Sequence, residues 1–356
     1  MGNPFTLTFG KKPAEYIIRR EHINEIKGAF LNTPSRCQTY LIQGVRGSGK
    51  TVLMTTLSIE IAEEKDWICV DLNSSLNLLE DLSYRLADAC ESAAGLIDRG
   101  LDISVAGFGI GIGSREARDN VSRCEHYLKQ LSAQGKKLLI TIDEVSNTES
   151  MRQFAGQFQI WIRKDFPVFL LMTGLYENIY AIQNSPQLTF LLRSPKVTLG
   201  PLSLSLITRQ YESALNISTE KAIPLARLTK GYAFAFQALG MLYYDYNVQD
   251  NDASIQREPD NAAILRNLDS CLDEYVYSKI WNSLSPLDQK VILQLSDEAP
   301  SRVKDVCDAV GMNSSNFSKY RERLIKKGLI TAQQHGYLEP ALPRFCVICR
   351  LYQALI

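Results

Sequence analysis

The residues best equipped for chemistry fall in two short stretches. Residues 44–51 read Gly44-Val45-Arg46-Gly47-Ser48-Gly49-Lys50-Thr51, with Val52 following. The glycines let backbone N–H groups turn inward around an anion without Cβ clashes. Lys50 adds a point charge suited to β- and γ-phosphates, and Thr51 adds a hydroxyl suited to Mg²⁺. The second stretch, 136–144, reads KKLLITIDE. Asp143 is a candidate for the Mg²⁺ shell, and Glu144 for orienting and polarising an attacking water. A small-molecule kinase often manages without the second acid, whereas cleavage of ATP by water benefits from it. ATP or ADP and Mg²⁺ are the expected cofactors.

Particular elements must position these residues. Tyr40-Leu41-Ile42 is a short β-favouring run before the glycines, and Val52, Leu53, Leu57 and Ile61 recur after them at helical spacing. Strand, glycine loop and helix together form the context a phosphate loop requires, with the helix directing its positive end at the anion. The run Leu138–Ile142 is apolar but for Thr141, as in a parallel strand buried on both faces. Its acids then stand at the C-terminal edge, where α/β sheets present their ligand crevice. Met151, Phe154, Phe158 and Trp161 mark a helix with a core-facing side. Residues 167–174, PVFLLMTG, read as a further buried strand ending at Thr173. Thr173 is a candidate for contact with a γ-phosphate or the attacking water; capping the next turn is the alternative.

Composition narrows the class. The chain has 356 residues, enough for two or three domains. Lys plus Arg and Asp plus Glu number 39 each, which excludes a globally basic nucleic-acid binder but not a local basic face. No apolar run approaches a bilayer span, and the start lacks a signal-peptide core. The 8 cysteines, without a secretion signal, fit reduced thiols and a cytoplasmic setting. Cys346 and Cys349 have CxxC spacing but no second pair, so core packing is expected rather than zinc. With His22, His126 and His335 as the 3 histidines, a histidine-based site is not expected.

The chain resembles an AAA+ P-loop ATPase of the group between the origin-initiator AAA+ proteins and the STAND ATPases. The resemblance rests on IIRREHINEI (17–26), GVRGSGKT (44–51), LLITIDE (138–144), LLMTG (170–174), FLLRSPKVTLGPLS (190–203) and TKGYAFAFQALG (229–240). It implies an α/β fold: an ASCE-type parallel sheet with a helical lid and a C-terminal winged helix. It further implies that Ile18 and Arg19 lie against adenine. Arg193 matches an arginine finger, often supplied across a subunit interface, which implies a possible homo-oligomer. A helix-end cation is the other reading of Arg193. Where related lids carry a sensor arginine or a proline, this chain has Phe234 or Ala233.

Three domains are expected: 1–200 for the nucleotide-binding fold, 201–275 for lid and linker, and 276–356 for the winged helix. LDISVAGFGIGIGS (101–114) alternates like a β-hairpin inserted in the first domain, packed on its own domain or touching a partner. The polar stretch 247–263 reads as a linker. In the third domain, helices are expected after Ser285, after Ser301 and over 314–327, then two strands joined at His335-Gly336. In helix 314–327, Phe317, Tyr320, Leu324 and Ile325 are expected to face in. Asn316, Lys319, Arg323 and Lys326 face out, the arrangement of a recognition helix on double-stranded DNA. Two functions follow. One is an ATP-driven switch holding DNA through its winged helix. The other is a STAND-like regulator whose winged helix locks the protein or docks a protein partner. No membrane partner is expected.

Overall fold

The computed structural model describes residues 2–8, 13–94, 114–249 and 261–354. The hairpin expected over 101–114 lies outside the described residues up to 113, as does most of the expected linker, 250–260. The chain divides into two compact units: Arg19–Gln43 with Leu53–Thr198, and Met1–Ile18 with Gly44–Val52 and Leu199–Ile356.

The first unit is built on five parallel strands: β1 (Thr39–Gln43), β2 (Trp67–Leu72), β3 (Lys137–Ile142), β4 (Val168–Gly174) and β5 (Lys196–Thr198). Their order is β2-β3-β4-β1-β5, which places one strand between β1 and β3. Every residue of β4 is buried. Its continuous apolar run, rather than an alternating one, follows from having both sheet faces covered. The covering helices are α1 (Arg20–Leu31), α2 (Lys50–Ala62, from Leu53 on), α3 (Leu78–Ala94), α4 (Ser114–Ala133), α5 (Glu149–Arg163) and α6 (Tyr176–Gln183). Met151, Phe154, Phe158 and Trp161 of α5 are all buried, as their spacing predicts. A 3₁₀ segment, Pro186–Arg193, precedes β5.

The second unit is mostly helical. It contains α7 (Leu204–Leu215), α8 (Thr219–Leu228), α9 (Ala233–Gln249), α10 (Asn261–Leu272), a single π turn and α11 (Ser278–Asn282). Ile207, Tyr211 and Leu215 form the buried stripe of α7. The N-terminal segment docks here: Phe5 packs edge-on against Tyr211 and Phe236, and a Cβ on Gly240 would lie 2.6 Å from its ring.

The chain continues through α12 (Pro286–Leu293), β6 (Ser301–Arg302), α13 (Val303–Val310), α14 (Ser314–Lys326), β7 (Ile330–Thr331), β8 (Tyr337–Pro340) and α15 (Phe345–Ala354). The three strands form a sheet in the order β6-β8-β7, with β8 antiparallel to both neighbours. Ser285 caps α12 as its position predicts, its side chain accepting from the Asp288 N–H. Ser301 does not cap α13. It pairs with Leu338 in the sheet instead, and Arg302 stands at the cap position. Gly311 ends α13 in the left-handed conformation, φ 69°. Phe317 and Leu324 are buried as expected, but Ile325 is exposed, one position off the inward stripe of α14. Cys346 and Cys349 are buried core thiols on α15, where desolvation pushes the Cys346 thiol up to about 12.

Candidate functional site

The sheet brings several candidates to one edge. All five strands run in the same direction, so their C-terminal ends align. Gln43, the last residue of β1, registers with Gly174 of β4, and Ile142 of β3 with Met172. Asp143 follows β3 directly, and Thr173 is the penultimate residue of β4. The fully buried Thr173 hydroxyl donates to Asp143 Oδ1. The same two side chains also receive the Glu144 N–H, at 3.0 Å from Asp143 Oδ1 and 3.3 Å from Thr173 Oγ1. Glu144 is held at φ 50°, a region that non-glycine residues seldom occupy and that clusters at functional positions. The Val145 N–H donates to the Thr173 carbonyl at 2.8 Å, fixing the chain after the bend. Glu144 is thus an exposed carboxylate on a constrained backbone, beside a partly buried aspartate.

The glycine loop follows Gln43 in the chain and belongs to the second unit. Gly47 and Gly49 have φ of 74° and 89°, the turns by which such a loop gathers successive N–H groups to one side. Helix α2 begins at Lys50. Lys50 is 7% exposed, and its Nζ donates to the carbonyls of Gly44 at 3.2 Å and Val45 at 3.1 Å. Ser48 is buried, and Val45, Arg46, Thr51 and Val52 are partly so. Gly44 is tight as well: a Cβ there would lie 2.6 Å from Ser48 Oγ.

The remaining candidates lie elsewhere. Ile18 is exposed and ends the N-terminal segment of the second unit, and Arg19 begins the first unit. Burial lowers the Arg19 guanidinium to about 10, which leaves it cationic at neutral pH. Arg193 is exposed at the last residue of the 3₁₀ segment. Asn316 and Lys319 are exposed on α14. Lys326 pairs with Glu322 at 2.5 Å, a surface contact of small energetic weight.

Arg323 has a structural partner that sequence reading missed. It bonds Asp288 at 2.5 Å and lies 4.7 Å above the Tyr320 ring, and the Asp288 side chain is 2% exposed. The one available signal was an aspartate three residues after a helix-capping serine, but nothing in the sequence links it to a residue 35 positions on. Removing one partner of a buried pair strands the other charge. Arg323→Ala should therefore cost roughly 2–3 kcal/mol in urea unfolding, part of the loss being offset because Ser285 Oγ still donates to Asp288 at 2.9 Å. Lys319→Ala should change stability by less than about 0.5 kcal/mol. Equal stability of the two variants would remove the pair from the fold's framework.

No titratable cluster with metal-ligand potential occurs among the described residues. Nor, among them, is any helix long and apolar enough to cross a membrane.

A family model described as "Domain of unknown function (DUF8462)" matches residues 274–346. A search of the curated proteins by sequence finds no match. Solved structures do resemble the chain. A Walker-type ATPase of Pyrococcus abyssi matches with a TM-score of 0.61 at 13% identity, over 94% of this chain and 96% of that one. The Aeropyrum pernix ORC2 protein in its ADPNP-ADP complexes matches at 0.59 and 13% identity, over 98% and 97%. Its ADP form matches at 0.53 and 15% identity, over the same shares. At such identities the likeness is one of fold, an α/β architecture that in this chain is built on a parallel five-stranded sheet.

Proposed function

We propose that this chain is an ATP-binding and ATP-hydrolysing switch of the AAA+ type whose C-terminal elements form a winged helix that contacts duplex DNA. The observation that carries the nucleotide reading is the glycine loop. Two positive-φ glycines, in a loop that follows β1 in the chain, lead directly into a helix. The residues present fit a Mg²⁺-nucleotide. The N–H groups of Gly44–Thr51 and the Lys50 amine would hold the phosphates, Val52 would back the loop, and Ile18 and Arg19 would flank the base. Thr51 and Asp143 would hold Mg²⁺, which when bound neutralises phosphate charge. Glu144 would take a proton from water, oriented by the bend at φ 50°, while Thr173 orders the aspartate. Arg193, exposed at the end of the 3₁₀ segment, would reach a neighbouring copy in a homo-oligomer. The ADPNP-ADP complexes of the Aeropyrum pernix ORC2 protein support the same reading. All 8 cysteines are free thiols, in keeping with a cytoplasmic setting.

The winged-helix reading draws on three short helices and a three-stranded sheet in the chain order of such modules, with Asn316 and Lys319 on the outer face of α14. It implies a division into nucleotide-binding domain (1–200), lid (201–275) and winged helix (276–356). The second reading, a STAND-like regulator whose winged helix locks the protein or docks another protein, is favoured by the Arg323–Asp288 pair, which commits one of the four basic or polar candidates to the fold.

Fluorescence anisotropy with duplex DNA across a salt series, alongside ATP turnover with and without that DNA, tests the assignment. The parent's affinity should fall steeply with salt. Lys319→Glu with Lys326→Glu should flatten the log–log slope by about 2, at about 0.9 per phosphate contact, while leaving the Arg323 pair intact. A parent without salt-dependent duplex binding in ATP, in ADP and without nucleotide would give first place to the second reading.

A further inference from the structure

Within the second unit, the turn Lys230–Phe234 lies directly on the glycine loop. The Tyr232 hydroxyl donates to the Arg46 carbonyl at 2.7 Å, and the Phe234 N–H donates to the Gly47 carbonyl at 3.1 Å. The approach is close: a Cβ on Gly47 would lie 2.3 Å from the Tyr232 hydroxyl. Gly47 is therefore required twice, for its φ of 74° and for access by this turn.

A trans peptide sets its N–H opposite its C=O. With the Arg46 carbonyl held by Tyr232, the Gly47 N–H faces away from the turn. With the Gly47 carbonyl held by Phe234, the Ser48 N–H is also directed away, and it closes a tight turn on the Val45 carbonyl at 3.2 Å. Two peptide planes of the loop are thus fixed from behind, through carbonyls. An anion needs N–H donors and does not compete for those carbonyls. Tyr232 is 4% exposed, and burial pushes its phenol far above its ordinary range, so it remains a donor at any working pH.

The turn is itself anchored in the C-terminal elements. The Tyr232 ring stacks on Tyr277 at 6.4 Å, and Tyr277 meets Phe345 edge-on at 4.9 Å. Lys230 Nζ donates to the Pro340 carbonyl at 3.3 Å. Gly328, just past α14, runs alongside Val45, where a Cβ would sit 3.6 Å from the valine Cβ.

We propose that Tyr232 and the Phe234 N–H form a clamp that orients the peptides of the glycine loop from behind and ties them to the C-terminal elements, making Tyr232 a positioning residue for phosphate binding. The phosphate part rests on the nucleotide reading above. The clamp itself does not.

Tyr232→Phe deletes one oxygen and keeps the ring stack. Hydrogen exchange followed by mass spectrometry, without nucleotide, should show residues 46–50 exchanging about tenfold faster than in the parent, the effect of one buried hydrogen bond. Calorimetry with ADP should show about tenfold weaker binding. Tyr277→Phe is the control. It removes a hydroxyl from the same stack, one that donates to the Pro343 carbonyl at 2.7 Å and not to the loop. It should leave loop exchange and ADP affinity at parental values. Unchanged loop exchange in Tyr232→Phe overturns the clamp, and so does an equal effect in Tyr277→Phe. A parent that binds no ADP sinks the nucleotide reading, while the exchange comparison still decides the clamp.

Discussion

Lys50→Ala should weaken ATP and ADP binding by about a hundredfold or more in calorimetry. The side chain presents an amine on a buried stem, 7% exposed, at the first residue of the helix that follows the loop. Charged hydrogen bonds are worth about 1.5–3 kcal/mol each, and an amine shared between two phosphates makes at least one of them. About 3 kcal/mol corresponds to somewhat more than a hundredfold in affinity. The lysine also bonds the carbonyls of Gly44 and Val45, so part of any loss could arise from a relaxed loop. Lys50→Met separates the two effects: it keeps the stem and removes the charge and the donors. If Lys50→Met binds ATP as tightly as the parent, the loop is not a phosphate site.

Glu144→Gln should leave ATP binding within about twofold and slow phosphate release in single turnover by about 10²–10⁴, the usual weight of a general base. The amide keeps the volume and tolerates the same backbone, so the bend at φ 50° and its bonds to Asp143 and Thr173 survive. What is lost is the capacity to accept a proton. Parental turnover in this variant would show that Glu144 bends the chain after β3 without taking part in cleavage.

Much of the sheet edge was legible because several signals agree there. Leu138–Ile142 and the run up to Thr173 are largely apolar in the way that only doubly covered strands need to be, and a polar residue, Asp143 or Thr173, stands at the end of each. The glycine spacing at 44–49 has few other uses. Local reading failed where the decisive partner was remote. Ser301 has the chemistry of a helix cap, yet ladder pairing with Leu338 recruits its backbone. Arg323 resembles a solvated surface cation, yet it closes on a buried aspartate. Ile325 follows an apolar residue on α14, and a shift of one position carries it to the surface. Phe234 stood out in sequence only as a departure from the arginine of related lids, and Tyr232 did not stand out at all. That they bond the glycine loop's carbonyls depends on backbone geometry, which side-chain types do not encode.

The bond between Tyr232 and the Arg46 carbonyl spans 186 residues of sequence. This has a consequence for synthesis. At about 5–20 residues per second, the glycine loop leaves the ribosome roughly 10–40 s before its donor does. The first strand, Thr39–Gln43, emerges just ahead of the loop, and the other four, up to Thr198, emerge within that interval. A nascent chain therefore passes through a stage with a completed sheet and a loop whose peptides are still free to turn. Retention of nucleotide by ribosome-bound chains should then appear abruptly once the stalling position lies far enough beyond residue 234 for Tyr232 and Phe234 to have cleared the ribosome, rather than growing steadily with chain length.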